Sequence, residues 1–277
     1  MLEERTRHRA ARDFEAADRV RDRLQEGGWQ VVDAAGGSRL ERIEGRPDHR
    51  DVTLLTLVHG WPEDVRRWLG SIQAHPPAAD WEVVIVDNSG DPDVGAHIDG
   101  LAGERVRTVA LEPAAGWADA ANRGVDEAAG QVVVLFDPGT EVEGDLQPLL
   151  DVLADGDVAV AGPYAVAASH SLHHIESSTG PTVHAIEGYC MAFRKADVEA
   201  VGGFDRKFRF YRIADFELSF RLRDRGGRQA RVVPVPVRKH AHRLWEATEP
   251  AERDRLSKKN FYRFLDLWRE REDLIAE

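Results

Sequence analysis

Cysteine is nearly absent from the chain: Cys190 stands alone, which excludes an intramolecular disulfide and a cysteine zinc cluster. Its surroundings, Gly188-Tyr-Cys-Met-Ala-Phe193, are apolar and read as the setting of a buried thiol. No uninterrupted apolar run approaches the roughly 18 residues of a spanning helix, and the opening MLEERTRHRA lacks the apolar region of a signal peptide. The expectation is therefore a soluble, cytoplasmic protein without a membrane span. Neither a glycine-rich P-loop nor a G-x-G-x-x-G occurs, so ATP- and dinucleotide-binding folds lose ground. Positive charge is also scarce: 37 Lys and Arg against 49 Asp and Glu leave a net charge of −12. That balance makes nucleic acid an unlikely partner, yet it leaves room for a local basic groove around a diphosphate.

What is present is globular. With 277 residues, 42% hydrophobic and 31% charged, the chain has the length for one large α/β domain plus a small appendage. Residues 3–26 carry Phe14, Ala17, Val20 and Leu24 at helical spacing and read as one amphipathic helix stopped by Gly27-Gly28. Two short strands, 29–32 and 38–43, flank the turn 33–37, and 44–48 reads as a linker. The appendage thus covers 1–45 and the main domain 51–277. From Asp51 onward strands alternate with helices, which predicts a mostly parallel sheet with helices on both faces.

The main domain is organised around Val132–Phe136, an unbroken apolar run that reads as a strand buried on both faces, with Asp137 as the first charge at its end. Open α/β sheets place their ligands at the carboxyl ends of central strands, although Asp137-Pro-Gly139 is equally turn chemistry. The same ambiguity holds for Trp81–Asp87, where Asp87-Asn88 faces a ligand or makes an Asx-turn. Trp117–Ala129 reads as a helix closed by Gly130. The stretch 162–183 shows little periodicity and reads as a long functional loop. Its His170, His173 and His174 are candidate metal ligands with only Glu176 nearby. Pro234 and Pro236 place 231–238 at a sheet edge, and the chain from Glu249 reads as a helix packed over the sheet.

Several of these segments, in this order, resemble family 2 glycosyltransferases of the GT-A fold. The matching residues are Val84–Ser89 (V-I-V-D-N-S), Ser71-Ile72, the helix with Asn122-Arg123-Gly124, the strand ending in Asp137, Gly188–Arg194, Gly202-Gly-Phe-Asp205, and Ala214-Asp-Phe-Glu-Leu218 followed by Arg221-Leu222 and Gly226. The resemblance covers about residues 51–270. It implies a nucleotide-diphospho-sugar partner held by Asp87, Asn88, Asn122, Arg123 and Asp137, with Asp215 as general base of an inverting transfer. It also implies a divalent metal, Mn or Mg, held by Asp137 with His240 or His242. His240 is the candidate by register.

The chain departs from the pattern in four places, one of them Glu217 where the family has the later Asp of E-D-x-D. Gly139 replaces the second carboxylate of D-x-D, Ala214 the first acid of E-D, and Leu57-Val-His-Gly60 the usual strand end P-x-Y-N. Two functions follow: an inverting glycosyltransferase, in which Arg123, Lys239 or the histidines neutralise the diphosphate if metal is lacking, or a degenerate GT-A domain that binds a nucleotide sugar or a protein without turnover. The appendage, with A-R-D-F-E-A-A-D-R-V-R-D-R-L, resembles the C-terminal tail of bacterial cysteinyl-tRNA synthetases, which implies a place next to tRNA. Residues 1–44, however, carry nine Arg and ten Asp or Glu, so the electrostatic term for nucleic acid is weak and docking on a protein surface is the preferred reading.

Overall fold

Runs of apolar β-formers become the centre of the structure, and the helices that follow them cover both faces. The computed structural model describes residues 2–11, 13–26, 29–34, 37–42, 50–111, 113–169, 171–180 and 183–275. They divide into two compact units, Met1–His49 and Arg50–Glu277.

Among its described residues the first unit has two helices and an antiparallel pair of strands. The expected single helix over 3–26 is instead α1 (Leu2–Ala10) and α2 (Phe14–Glu26). Asp13 is the cause: its carboxylate accepts the Ala16 N–H at 3.1 Å, so it caps a new helix rather than continuing the old one. Strands β1 (Trp29–Ala34) and β2 (Gly37–Arg42) pair antiparallel. Buried Arg5 donates both Nη atoms to Asp33 at 3.0 Å, holding that carboxyl well below its usual range. The expected stop at Gly27-Gly28, residues 35 and 36 of the turn, and the linker over 44–48 lie outside the described residues.

The second unit runs β3 (Arg50–Val58), α3 (Pro62–Ala74), β4 (Trp81–Asp87), α4 (Pro92–Asp99), β5 (Val106–Ala110), α5 (Trp117–Glu127) and β6 (Gly130–Phe136). It continues through β7 (Thr140–Val142), α6 (Gln147–Leu153), β8 (Val158–Gly162), β9 (Ala165–Ala168), β10 (Ile175–Ser178), β11 (Ala185–Ile186), β12 (Cys190–Arg194) and α7 (Lys195–Ala200). Last come α8 (Ala214–Asp224), β13 (Gln229–Val232), β14 (Val237–Lys239), α9 (Arg243–Ala247) and α10 (Pro250–Trp268).

Among the described residues the main sheet has seven strands in the order β13-β8-β12-β6-β3-β4-β5. All its pairings are parallel except those of β12, which runs against both β6 and β8. The mostly parallel α/β architecture is as expected, and β13 with its following prolines lies at the edge. Alternation along β3 splits the core: Leu55 and Leu57 face α5 and α8, while Leu54 and Val58 face α3 and α6.

Two expectations fail here, the first for a steric reason. Gly130 does not cap α5, whose last turn ends at extended Ala128, but opens β6. A Cβ there would lie 2.3 Å from the Thr53 backbone nitrogen, so only glycine lets the strands close. The stretch 162–183 is likewise not all loop, because β9 and β10 form a small sheet with β11.

Candidate active site

The carboxyl ends of β3 and β6 open onto a cleft of about 950 Å³, mouth included, whose lining includes His59, Asp137, Tyr189, Tyr211, Arg212, Asp215 and His242. Non-glycine residues with positive φ line it on two sides, Trp61 at 53° and Ile213 at 71°. Such conformations cost about 1–3 kcal/mol each and persist only where the surroundings impose them.

Asp137 serves the turn and the cleft at once. Its carbonyl accepts the Thr140 N–H at 3.1 Å and its Oδ1 accepts the Gly139 N–H at 2.7 Å, which is the turn that Asp-Pro-Gly predicts. Oδ2 remains, and it meets His242 Nε2 at 3.0 Å. The His242 ring is stacked on Tyr211, centroids 4.0 Å apart, with Tyr189 edge-on at 5.7 Å. Register then separates the two candidate histidines. The antiparallel pairing of β14 with β7 brings His240 N–H onto the Gly139 carbonyl and its ring onto Glu141 at 2.8 Å, so it is not among the residues lining the cleft.

Asp215 sits in the first turn of α8. Its Oδ2 accepts the Gly188 N–H at 2.7 Å and its Oδ1 the Phe216 N–H at 3.0 Å. Burial nonetheless pushes the carboxyl up to about 6, with the nearby Glu187 charge adding to the rise and the two N–H donors and Arg212 opposing it. A carboxylate of that basicity, open to a cleft, suits proton abstraction near neutral pH. His59, which ends the strand where the family's P-x-Y-N is missing, is driven down to about 4 by burial and so is neutral.

The other residues predicted from sequence are drawn elsewhere. Asn88 is occupied on both sides, its Oδ1 accepting the Ala115 N–H at 2.7 Å and its Nδ2 donating to the Ala115 carbonyl at 3.1 Å. Asp87 is buried and its Oδ1 accepts the Ser89 N–H at 2.9 Å, the Asx-turn reading. Asn122 is buried with its amide spent on Phe204, donating at 2.9 Å and accepting at 2.7 Å. Arg123 pairs with Glu127 along α5 at 2.6 Å. None of these four lines the cleft. Lys239 is held by Glu187 at 2.8 Å between the Tyr164 and Tyr189 rings. His170 lies outside the described residues.

Arg212 escaped the sequence reading, although it stands three residues before Asp215. It lines the cleft, is exposed, and rests on the Trp245 ring at 5.1 Å, and among the described residues no carboxylate forms an ion pair with it.

For a divalent metal the cleft offers Asp137 Oδ2 and His242 Nε2. Among the described residues no group of three or more His, Cys, Asp or Glu is arranged to hold one. A hard cation takes about six ligands, and at nucleotide sites phosphates and water supply most of them. The pair therefore fits a cation only as a minority of its shell, completed by a bound diphosphate. Gly139 cannot be exchanged for the missing carboxylate in place, because a Cβ there would lie 2.7 Å from Asp137 Oδ1 and 2.9 Å from the Ala241 carbonyl.

Comparison with known proteins agrees with this fold. Among solved structures, GalNAc-T7 with UDP, GalNAc and Mn2+ aligns with TM-score 0.62 and 16% identity over 81% of this chain and 50% of that one, so the chain spans half its length. The mannosyltransferase PcManGT from Pyrobaculum calidifontis, in complex with GDP-Man and Mn2+, gives 0.52 and 18% over 97% and 83%, and S. aureus TarS 1-349 gives 0.51 and 13% over 80% and 73%. By sequence, no curated protein matches the chain. The family description "Glycosyl transferase family 2" matches residues 56–217, more than half of the chain, and with its GT-A architecture the chain belongs to that family.

Proposed function

We propose that the protein is an inverting glycosyltransferase that moves a sugar from a nucleotide-diphospho-sugar to an acceptor hydroxyl. The observation that carries this reading is Asp215, a carboxylate raised to about 6 and facing the same cleft as the Asp137–His242 pair. The acceptor hydroxyl gives its proton to Asp215 as its oxygen attacks the anomeric carbon, and the bond from that carbon to the diphosphate breaks on the opposite face. Arg212 offsets charge on the departing diphosphate, and the aromatic walls formed by Tyr189 and Tyr211 exclude water. Asp137 and His242 are the residues that would hold a divalent metal, whose chemistry is to neutralise the diphosphate. Asp87, at the end of β4, remains a proposed nucleotide contact. Titration calorimetry with a panel of nucleotide sugars, with and without manganese, followed by transfer and donor-hydrolysis assays, tests the reading. Binding without any turnover across the panel would favour the non-catalytic alternative, to which Gly139 and Ala214 lend weight.

For the N-terminal unit the proposed role is docking on a protein surface. Its Phe14 is an exposed large hydrophobic residue on α2, and the tRNA role implied by the synthetase resemblance is the competing outcome.

A further inference from the structure

We propose that the acceptor carries negative charge, and that residues 206–209 recruit it at the rim of the cleft; this rests on the transferase reading and adds the acceptor's chemical class. Four of the seven residues from 206 to 212 are Lys or Arg, in a chain whose net charge is −12. The pattern is structural. Phe204, Phe208, Phe210 and Ile213 turn inward and are buried, whereas Arg206, Lys207 and Arg209 between them are exposed.

The segment is fixed from beneath. Asn260 Nδ2 donates to the Phe210 and Arg212 carbonyls, each at 2.8 Å, and Arg263 Nε donates to Asp205 at 2.7 Å. It is also fixed to the cleft wall, because Trp117 N–H donates to the Arg209 carbonyl at 3.1 Å and Ala118 N–H to the Phe208 carbonyl at 3.2 Å. Trp117, which one of these bonds ties to the row, and Arg212, three residues beyond Arg209, both line the cleft, so the basic row adjoins the lining without being part of it. Arg206 is shared with Asp119 at 3.5 Å, but among the described residues no carboxylate forms an ion pair with Lys207 or Arg209. The fixed backbone sets the spacing of these cations, each exposed side chain loses rotamer freedom when an anion arrives, and together they concentrate a charged partner against the repulsion of an acidic protein. The acceptor's reacting hydroxyl goes to Asp215, so its phosphate or carboxylate belongs to a neighbouring unit of the acceptor, where it meets the rim.

The test is binding of three saccharide oligomers, one bearing phosphates, one bearing uronic carboxylates and one neutral, to the full chain and to the triple variant Arg206→Gln/Lys207→Gln/Arg209→Gln. Titrations are repeated at low and high salt, and UDP and GDP affinities are measured alongside. The expected result is that a charged oligomer binds at least tenfold more tightly than the neutral one, weakens with salt, and loses about tenfold in the variant, while nucleotide affinity changes less than twofold. The phosphate and uronate arms decide which anion is used. Equal binding of the neutral oligomer, binding of none, or a loss confined to nucleotide affinity would overturn the proposal, the last by assigning these cations to the donor diphosphate. Absence of any nucleotide binding would instead count against the transferase reading, and the oligomer titrations would still decide the rim.

Discussion

Asp137 Oδ2 and His242 Nε2 lie 3.0 Å apart, so the end of the central strand is closed by the residue that caps α9. If the two act as one unit on the diphosphate, Asp137→Ala and His242→Ala should each weaken nucleotide affinity by about tenfold, the loss of a charged hydrogen bond. The double variant should then lose less than the two single losses combined. Calorimetry with UDP and GDP measures all three, and fully additive losses would mean the residues work independently. Asp87→Ala should also cost about tenfold; an unchanged value would leave Asp87 as a turn residue alone.

Asp215→Asn keeps the side chain's shape but removes proton acceptance, so transfer should fall by about a hundredfold with donor affinity little changed. The base works ionised, and its carboxyl is raised to about 6, so the wild-type rate should be flat above that pH and fall about tenfold per unit below it. Stability runs in the other direction. The folded state holds this proton more tightly than the unfolded chain, so the group's favourable contribution is present at low pH and lost as pH rises from about 4 to about 6. A kinetic inflection near 4 would show a solvated carboxyl and remove the case for Asp215.

Asn122→Ala should separate fastening from ligand binding. It deletes both hydrogen bonds to the Phe204 backbone and leaves buried N–H and C=O groups unpaired, a loss of about 2–4 kcal/mol. Thermal unfolding should register that loss. Below the transition, nucleotide affinity should stay within twofold of wild type, and a large selective fall would instead make Asn122 a donor contact.

Gly139→Asp is expected to destabilise rather than to restore a metal site. The new Cβ would strike Asp137 Oδ1 and the Ala241 backbone, an overpacking cost of about 1–3 kcal/mol. The melting temperature should drop by several degrees, and titration with manganese alone should show no gain over wild type. Stronger manganese binding with an unchanged melting temperature would contradict this.

The parts of the fold set by local pattern were legible in the sequence, and those set by distant partners were not. Val132–Phe136 reads as a doubly buried strand, and Asp137 follows as the charge at its end. Both readings of Asp137-Pro-Gly139 proved compatible, because one carboxylate oxygen makes the turn and the other faces the cleft. The fastening role of Asn122 was hidden because the backbone it bonds, at Phe204, is 82 residues away. His240 and His242 lie two positions apart just past the end of β14, and only the pairing of β14 with β7, which sets His240 against Glu141, tells them apart. The break at Asp13 was visible as a capping residue, but the apolar spacing that suggested one helix, Phe14 to Leu24, lies wholly after it.

The tight fit around Gly139 bears on how this site can change by descent. A chain that carries glycine here gains the second carboxylate in one replacement only at a cost in stability, since the Ala241 segment must shift to admit the new Cβ. The order of steps matters: a loosening change near residue 241 that came earlier would lower that cost. Directed evolution toward a two-carboxylate site should therefore start from libraries that vary 139 and 241 together.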